Sequence, residues 1–317
     1  MSVIVFWIGF AQNIYQLIGL RLLQGVITGY STACVTLIAT QTDREHAGWA
    51  LGTLSTASIA GSLLGPMVGG YIAENFGLQN VFFITGALLM IAFITTFLFV
   101  TEQFVRPDEK VLSLKEVWKL ISEPGLTITM FATFFALTLA LYSIEPIVTV
   151  YVTQLTHNNT EHIALISGMV FSASGLASIL SASRLGRLSD RIGPQKVILA
   201  SLIVGGLLFI PQAFVKSPWQ LMALRFLVGL AIAGLAPSIN ALVKRITPDA
   251  LTGRIFGLIM SAQYLGIFGG SIIGGQVAAY FGIQYVFFIT STLLLINALW
   301  VYRKVYKKLN DRFQNDG

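Results

Sequence analysis

The chain has 317 residues, of which 55% are apolar and only 11% charged, and it carries a net charge of +6. Soluble domains hold roughly 25% charged residues, so a chain folded wholly in water is excluded. The single cysteine, Cys34, excludes an internal disulfide and a cysteine metal cluster. In chain order, Met1 to Phe10 is apolar but too short to cross a bilayer, and it lacks the basic region and cleavage site of a signal peptide. Apolar runs then predict helices over residues 13–39, 48–73 and 79–100. In residues 106–124, Leu114, Val117, Trp118 and Ile121 share one helical face opposite Lys115, Glu116 and Lys119, the pattern of a helix lying on a membrane surface. Further helices are predicted over residues 125–154, 161–183, 195–215, 218–243, 253–279 and 283–303, before a basic tail, 304–317. The predicted fold class is all-α, a polytopic membrane helix bundle.

Seventeen of the twenty Lys and Arg residues stand in alternate loops or the tail: Arg44, Arg106 to Lys119, Arg184 to Lys196, Lys244 to Arg254 and Arg303 to Arg312. The positive-inside rule places those loops and the C-terminus in the cytoplasm. The charge is thus a topology signal rather than a nucleic-acid surface. Lys304, Lys307, Lys308 and Arg312 also admit a second reading, as a patch for anionic lipid.

A ladder of small residues occurs twice. Gly52, Gly61, Gly65, Pro66, Gly69 and Gly70 are matched 205 positions later by Gly257, Gly266, Gly270, Ser271, Gly274 and Gly275. Phe76-Gly77 is answered by Phe281-Gly282, and Val81 to Thr85 by Val286 to Thr290. Two copies of one helical unit in an apolar chain indicate a transporter of duplicated halves. Pairing Arg21 with Arg225 sets Met1 against Gly205, midway along a helix of the second half. By that arithmetic the first half is expected to lack about 80 residues relative to its copy. A half-helix tucked in as a natural terminus is the alternative.

Glycines every fourth residue line one helix face and let a second helix approach closely. Pro66 removes a backbone donor and bends its helix. The ladder serves either tight packing or a contact between halves that rocks during transport. The copy with the proline is expected to be more sensitive to bulk, so Gly65→Leu should harm more than Gly270→Leu. Arg21, inside a span, needs a cavity or a partner. Arg225 shares its repeat position but has Val228 where Gln24 stands, which favours a structural role. Glu145 is read as the one carboxylate well inside a helix. An apolar setting disfavours its charged form, which suits a proton carrier or a partner for a cationic drug. The alternative is a carboxylate reaching water near the helix end. Pro146 frees the Tyr142 carbonyl beside it. Asp190, with Arg187, Arg191 and Lys196, is expected in a short loop, the acid favouring the start of the next helix. His46, His157 and His162 have no metal-ligand spacing, and no cofactor or metal is expected. No phosphate-cradling Gly-x4-Gly-Lys-Ser/Thr loop occurs, so transport would run on a gradient. No nucleophile–base pairing is visible, which argues against an enzyme.

These motifs resemble the major facilitator superfamily, in particular its drug/proton antiporters. The ladder Gly52 to Gly70 is similar to the antiporter motif of the fifth helix, and Leu17-x3-Arg21-x2-Gln24-Gly25 to the motif of the fourth. Gly186-Arg187-Leu188-Ser189-Asp190-Arg191-Ile192-Gly193-Pro194-Gln195-Lys196 resembles the cytoplasmic signature in its second-half copy. The stretches Leu37 to Gln41 and Gly48 to Thr56 look like one multidrug-resistance branch of these antiporters. The resemblance implies two pseudo-symmetric six-helix halves, with the first two and a half helices missing. Residues 1–105 would be the partial N-terminal half (end of helix 3 to helix 6), 106–124 a cytoplasmic linker, 125–303 the C-terminal half (helices 7 to 12) and 304–317 a cytoplasmic tail. It further implies proton coupling or substrate contact at Arg21, Gln24, Tyr142 and Glu145, and a cytoplasmic latch at Gly186, Asp190, Arg191, Gly193 and Lys196. The expected function is proton-coupled export of small amphipathic drugs by a monomer in a bacterial plasma membrane. Nutrient uptake on the same fold and a non-transporting fragment are the alternatives.

Overall fold

The computed structural model describes residues 1–29, 33–34, 37, 44–100, 124–156, 162–247 and 251–306. The surface helix expected in the linker, His157, and the tail beyond Tyr306 lie outside the described residues. Every regular element among those described is helical. Among the described residues seven helices are long and apolar enough to cross a membrane, the most hydropathic being Leu78–Phe99. Large apolar side chains stand outward in quantity, Phe99 being 81% and Tyr280 83% exposed. A soluble chain does not leave such continuous apolar surface, whereas lipid covers it at no cost.

The chain divides into two compact units, Met1–Glu109 with His162–Ser172, and Lys110–Glu161 with Ala173–Gly317. The first unit contains α1 (Ser2–Ile8), α2 (Ile14–Ile27), α3 (Arg44–Phe76), α4 (Leu78–Phe99) and the start of α7 (Ile163–Ile192). α1 packs on α4 because Gly86 and Gly9 leave room for it. A Cβ on Gly86 would lie 3.0 Å from Phe6 Cβ, and one on Gly9 would strike the Phe83 ring. Phe83 in turn packs at a tilt against Phe6 and Phe10, at ring-centroid distances of 5.0 and 4.8 Å.

The second unit contains α5 (Pro124–Ile144), a 3₁₀ turn (Glu145–Ile147), α6 (Val148–Leu155), the rest of α7, α8 (Pro194–Gln212), α9 (Pro218–Ile232), α10 (Leu235–Ile246), α11 (Thr252–Tyr280) and α12 (Ile283–Val301), which runs into a π turn at Tyr302–Tyr306. Its core is tied by polar pairs inside apolar helices. Ser143 and Thr290 hydroxyls lie 2.9 Å apart, and Asn297 Nδ2 donates to the Thr133 carbonyl at 3.4 Å. The Tyr151 hydroxyl donates to the Gln212 carbonyl at 3.0 Å.

The sequence repeat is also a structural one. At the start of α2, the Asn13 side chain accepts from Gln16 N and the Gln12 amide donates to Gln16 Oε1, both at 2.9 Å. At the start of α9, Ser217 Oγ accepts from Trp219 N at 3.3 Å and the Lys216 amide donates to Gln220 Oε1 at 2.9 Å. In each pair one bond satisfies a donor left open by the first helical turn and the other the amide just before the cap. Gly77 joins α3 to α4 with φ 89°, and Gly282 joins α11 to α12 with φ 103°. Only glycine takes that backbone without strain.

Four expectations are corrected. The helix expected over 13–39 breaks after Ile27, where Thr28 turns extended (ψ 117°) and Gly29 follows. The helix expected over 218–243 breaks at Ala233–Gly234, because Pro237 has no amide to give the Ala233 carbonyl. The helix expected over 125–154 passes through the 3₁₀ turn at Pro146. The helix expected to end at residue 183 runs on to Ile192, so Gly186, Asp190 and Arg191 are helical rather than in a loop. Asp190 therefore closes one helix instead of opening the next. The turn itself is Gly193 alone, at φ 95°, with Pro194 starting α8.

Candidate functional site

In the second unit α5 lies directly on the glycines of α11. A Cβ on Gly266 would fall on the Thr138 hydroxyl, on Gly270 on the Leu139 carbonyl, and on Gly274 on the Ser143 carbonyl. Three successive turns of α11 thus need to be bare, and the two backbones meet as small-residue packing in lipid allows. That contact fixes the far end of α5, which carries Tyr142 and then Glu145. Pro146 withholds an amide from the Tyr142 carbonyl and tightens the chain into the 3₁₀ turn that Glu145 begins.

Glu145 is exposed and Tyr142 half-buried. Tyr142 interacts electrostatically with Glu145 and with Tyr264 of α11, two residues before Gly266. Arg225 is only 8% exposed, and its Nε and Nη2 have no hydrogen-bond partner. Sequence reasoning missed the burial of Arg225. The shared repeat position with Arg21 was the available signal, but it carries no information about which faces meet.

In the first unit Arg21 is exposed. Its Nη1 donates to Gln24 Oε1 at 3.2 Å, and its guanidinium carbon lies 5.6 Å from the centre of the Phe82 ring. The first ladder is more open than the second. A Cβ on Gly61 or Gly65 meets nothing within 4 Å among the described residues, and one on Gly69 meets only Val81 at 3.9 Å. Contact begins at the proline. A Cβ on Gly168 of α7 would strike the Pro66 carbonyl, and one on Gly70 the Ala164 carbonyl. Gly52 lies on α3 as well. Gly270 is thus packed against the α5 backbone, while Gly65 has no described neighbour within 4 Å.

At the end of α3, Glu74 Oε1 accepts from the His162 amide at 2.8 Å and lies 3.1 Å from His162 Nδ1. This is the one acid–base side-chain contact within 4.0 Å among the described residues. No sequence signal joined residues 88 positions apart. At the α7–α8 turn, Asp190 is exposed while its neighbour Ser189 is buried, receiving a hydrogen bond from Ser238 at 3.0 Å. Gly193 is the turn, and Lys196 lies on α8. A cavity of about 470 Å³ in the first unit is lined by apolar residues such as Ile27, Leu89, Phe93 and Phe97.

A multi-pass chain with two copies of one helical unit, and with charged side chains set inside its spans, has the make-up of a membrane transporter. The chain belongs to the Major Facilitator Superfamily, whose family pattern matches residues 1–187 and 162–315. It is 41% identical over 309 residues to multidrug resistance protein MdtG of Salmonella paratyphi B, and to the proteins of that name in Salmonella newport and Salmonella typhi. The match covers 97% of this chain and 76% of each relative.

Proposed function

We propose that the chain is a proton-coupled antiporter that exports small amphipathic drugs across a bacterial plasma membrane. The observation that carries this reading is its likeness, along 97% of its length, to proteins named for multidrug resistance. Glu145 supports it as the proton-exchanging group, being an acid within a span that a cationic substrate can also engage. Arg21 with Gln24 forms a second polar couple in the first unit, placed to assist the proton's path. The alternate basic loops support a cytoplasmic C-terminus, with residues 1–105 and 125–303 as the two halves and 106–124 between them. Gly186 to Lys196 would brace the cytoplasmic side, and the protein would work as a monomer.

Ethidium efflux from energised bacterial cells stripped of their own pumps tests the reading. Expression of the chain is expected to lower dye accumulation, and a protonophore to abolish the effect. Glu145→Gln should reduce proton-driven export at equal membrane abundance. Export that persists undiminished after the proton gradient is collapsed would overturn proton coupling. Failure to move any of a panel of cationic dyes by membrane-inserted protein would overturn drug export.

A further inference from the structure

We propose that the end of α12 is a site for one anionic phospholipid, with Arg303 and Lys304 taking its phosphate while Ile296, Leu299 and Trp300 lie along its acyl chain. The inference stands on the membrane placement of the chain and is independent of what the chain transports. An open groove of about 270 Å³ is lined by these five residues. They fall at i, i+3, i+4, i+7 and i+8, so they share one face of the helix. All five are exposed. The opposite face is core, with Asn297, Ala298, Val301 and Val305 buried.

The groove changes character along its length. Ile296 and Leu299 suit hydrocarbon, and a tryptophan favours the level where hydrocarbon gives way to headgroups. Beyond Trp300 stand the two cations, whose flexible stems reach a headgroup from the apolar layer. A guanidinium grips a phosphate by two parallel bonds, and a lysine ammonium adds a point charge. Among the described residues lining the groove there is no acid to compete. Two cations without an acid favour a head of net negative charge over a zwitterion. The cations are also held in place. The π turn Tyr302–Tyr306 that carries them packs against α5 and α8, with Val305 fully buried and the Tyr302 and Tyr306 rings stacked at 5.5 Å. The sequence continues with Lys307, Lys308 and Arg312 against one acid, Asp311, and such a field draws anionic lipid. The other copy of the repeat lacks this chemistry. Counting back 205 positions, Ile91 and Ile94 keep the apolar part on α4, but Leu98 and Phe99 stand where Arg303 and Lys304 do. Ending a span therefore does not itself require cations at these two positions.

Quenching of Trp300 fluorescence in lipid nanodiscs tests this without requiring transport. The purified 317-residue chain is placed in phosphatidylcholine with a minor share of phosphatidylglycerol, the acyl chains of one lipid or the other being brominated. Subtracting the signal of Trp300→Phe isolates Trp300 from the other four tryptophans. Brominated phosphatidylglycerol is expected to quench Trp300 on the order of tenfold more effectively, mole for mole, than brominated phosphatidylcholine. The double variant R303Q/K304Q should bring the two lipids level, while K307Q/K308Q keeps the preference. Arg303 and Lys304 are exposed, so their replacement leaves the core intact, which the melting temperature checks. Equal quenching by both lipids in the unmodified chain, or equal loss of preference in both double variants, overturns the groove as a lipid site. Excess inorganic phosphate should not relieve the quenching, and relief would show a plain anion site and overturn the lipid. A Trp300 signal that follows the number of chains per disc rather than the headgroup would mark a second copy as the occupant and overturn it too.

Discussion

Arg21 and Arg225 occupy the same position in two copies of one repeat, on helices whose first turns are tied by matching hydrogen bonds. Arg21 lies exposed, satisfied by Gln24 and the face of Phe82. Arg225 lies buried, with no hydrogen-bond partner at Nε or Nη2. The ladders differ in the same sense. Gly266, Gly270 and Gly274 are pressed against α5, whereas Gly61 and Gly65 meet no described neighbour. A duplicated frame thus keeps its turns and caps while its interior faces specialise. The division of labour follows what packs against each copy rather than what the motif contains.

The largest expected departure between the copies comes from added bulk. Gly270→Leu must displace the Leu139 backbone, and overpacking costs about 1–3 kcal/mol, with a rigid backbone neighbour at the upper end. Gly65→Leu should change thermal stability far less. Melting temperature and membrane abundance of the two variants check this. Equal loss from both would make the ladders equivalent packing devices.

A sharper test of likeness uses the turns. Gly77→Ala and Gly282→Ala each force a side chain into positive φ, at a cost of about 1–2 kcal/mol. The two losses should match within experimental error if the copies share their turn. A loss confined to one variant would break the symmetry at the point where it is best preserved.

The smallest effect is expected at Arg21. Phe82→Leu removes the ring beneath an exposed guanidinium, where such contacts contribute about 0.5–1 kcal/mol. Stability should fall by no more than that, and the same ring removal combined with Arg21→Gln should add little further. A large additional loss would show that Arg21 has a partner beyond Gln24 and Phe82.

Much of the fold was legible because hydropathy and repetition report directly on spans. The helices beginning at residues 79 and 283 were placed within one residue of Leu78 and Ile283. The duplicated halves followed from glycine spacing alone. Boundaries went astray where breakers were underweighted. Gly193-Pro194 marks the end of α7 better than Gly186, because a lone glycine is tolerated inside a helix and a residue before proline is not. Pro237 likewise announced the break at Ala233–Gly234. The site was less legible. Glu145 and Tyr142 could be named as intramembrane polar groups, but the burial of Arg225 and the Glu74–His162 pair depend on which helix faces meet. Apolar helices that are hydrophobic all round give little sign of their contact face.

The single-residue turns at Gly77 and Gly282 bear on how the chain enters a membrane during synthesis. α3 ends at Phe76 and α4 begins at Leu78, so no loop is available to wait on the far side while the second helix follows. The same holds for α11 and α12 about Gly282, with one further residue at Phe281. Each pair must therefore be threaded as a closed hairpin, with its tip crossing first and both legs arriving together. The tip at Gly77 takes Glu74, Asn75, Gln79 and Asn80 across with it, whereas the tip at Gly282 takes Gln284 and two tyrosines, so the first crossing is the more costly of the two.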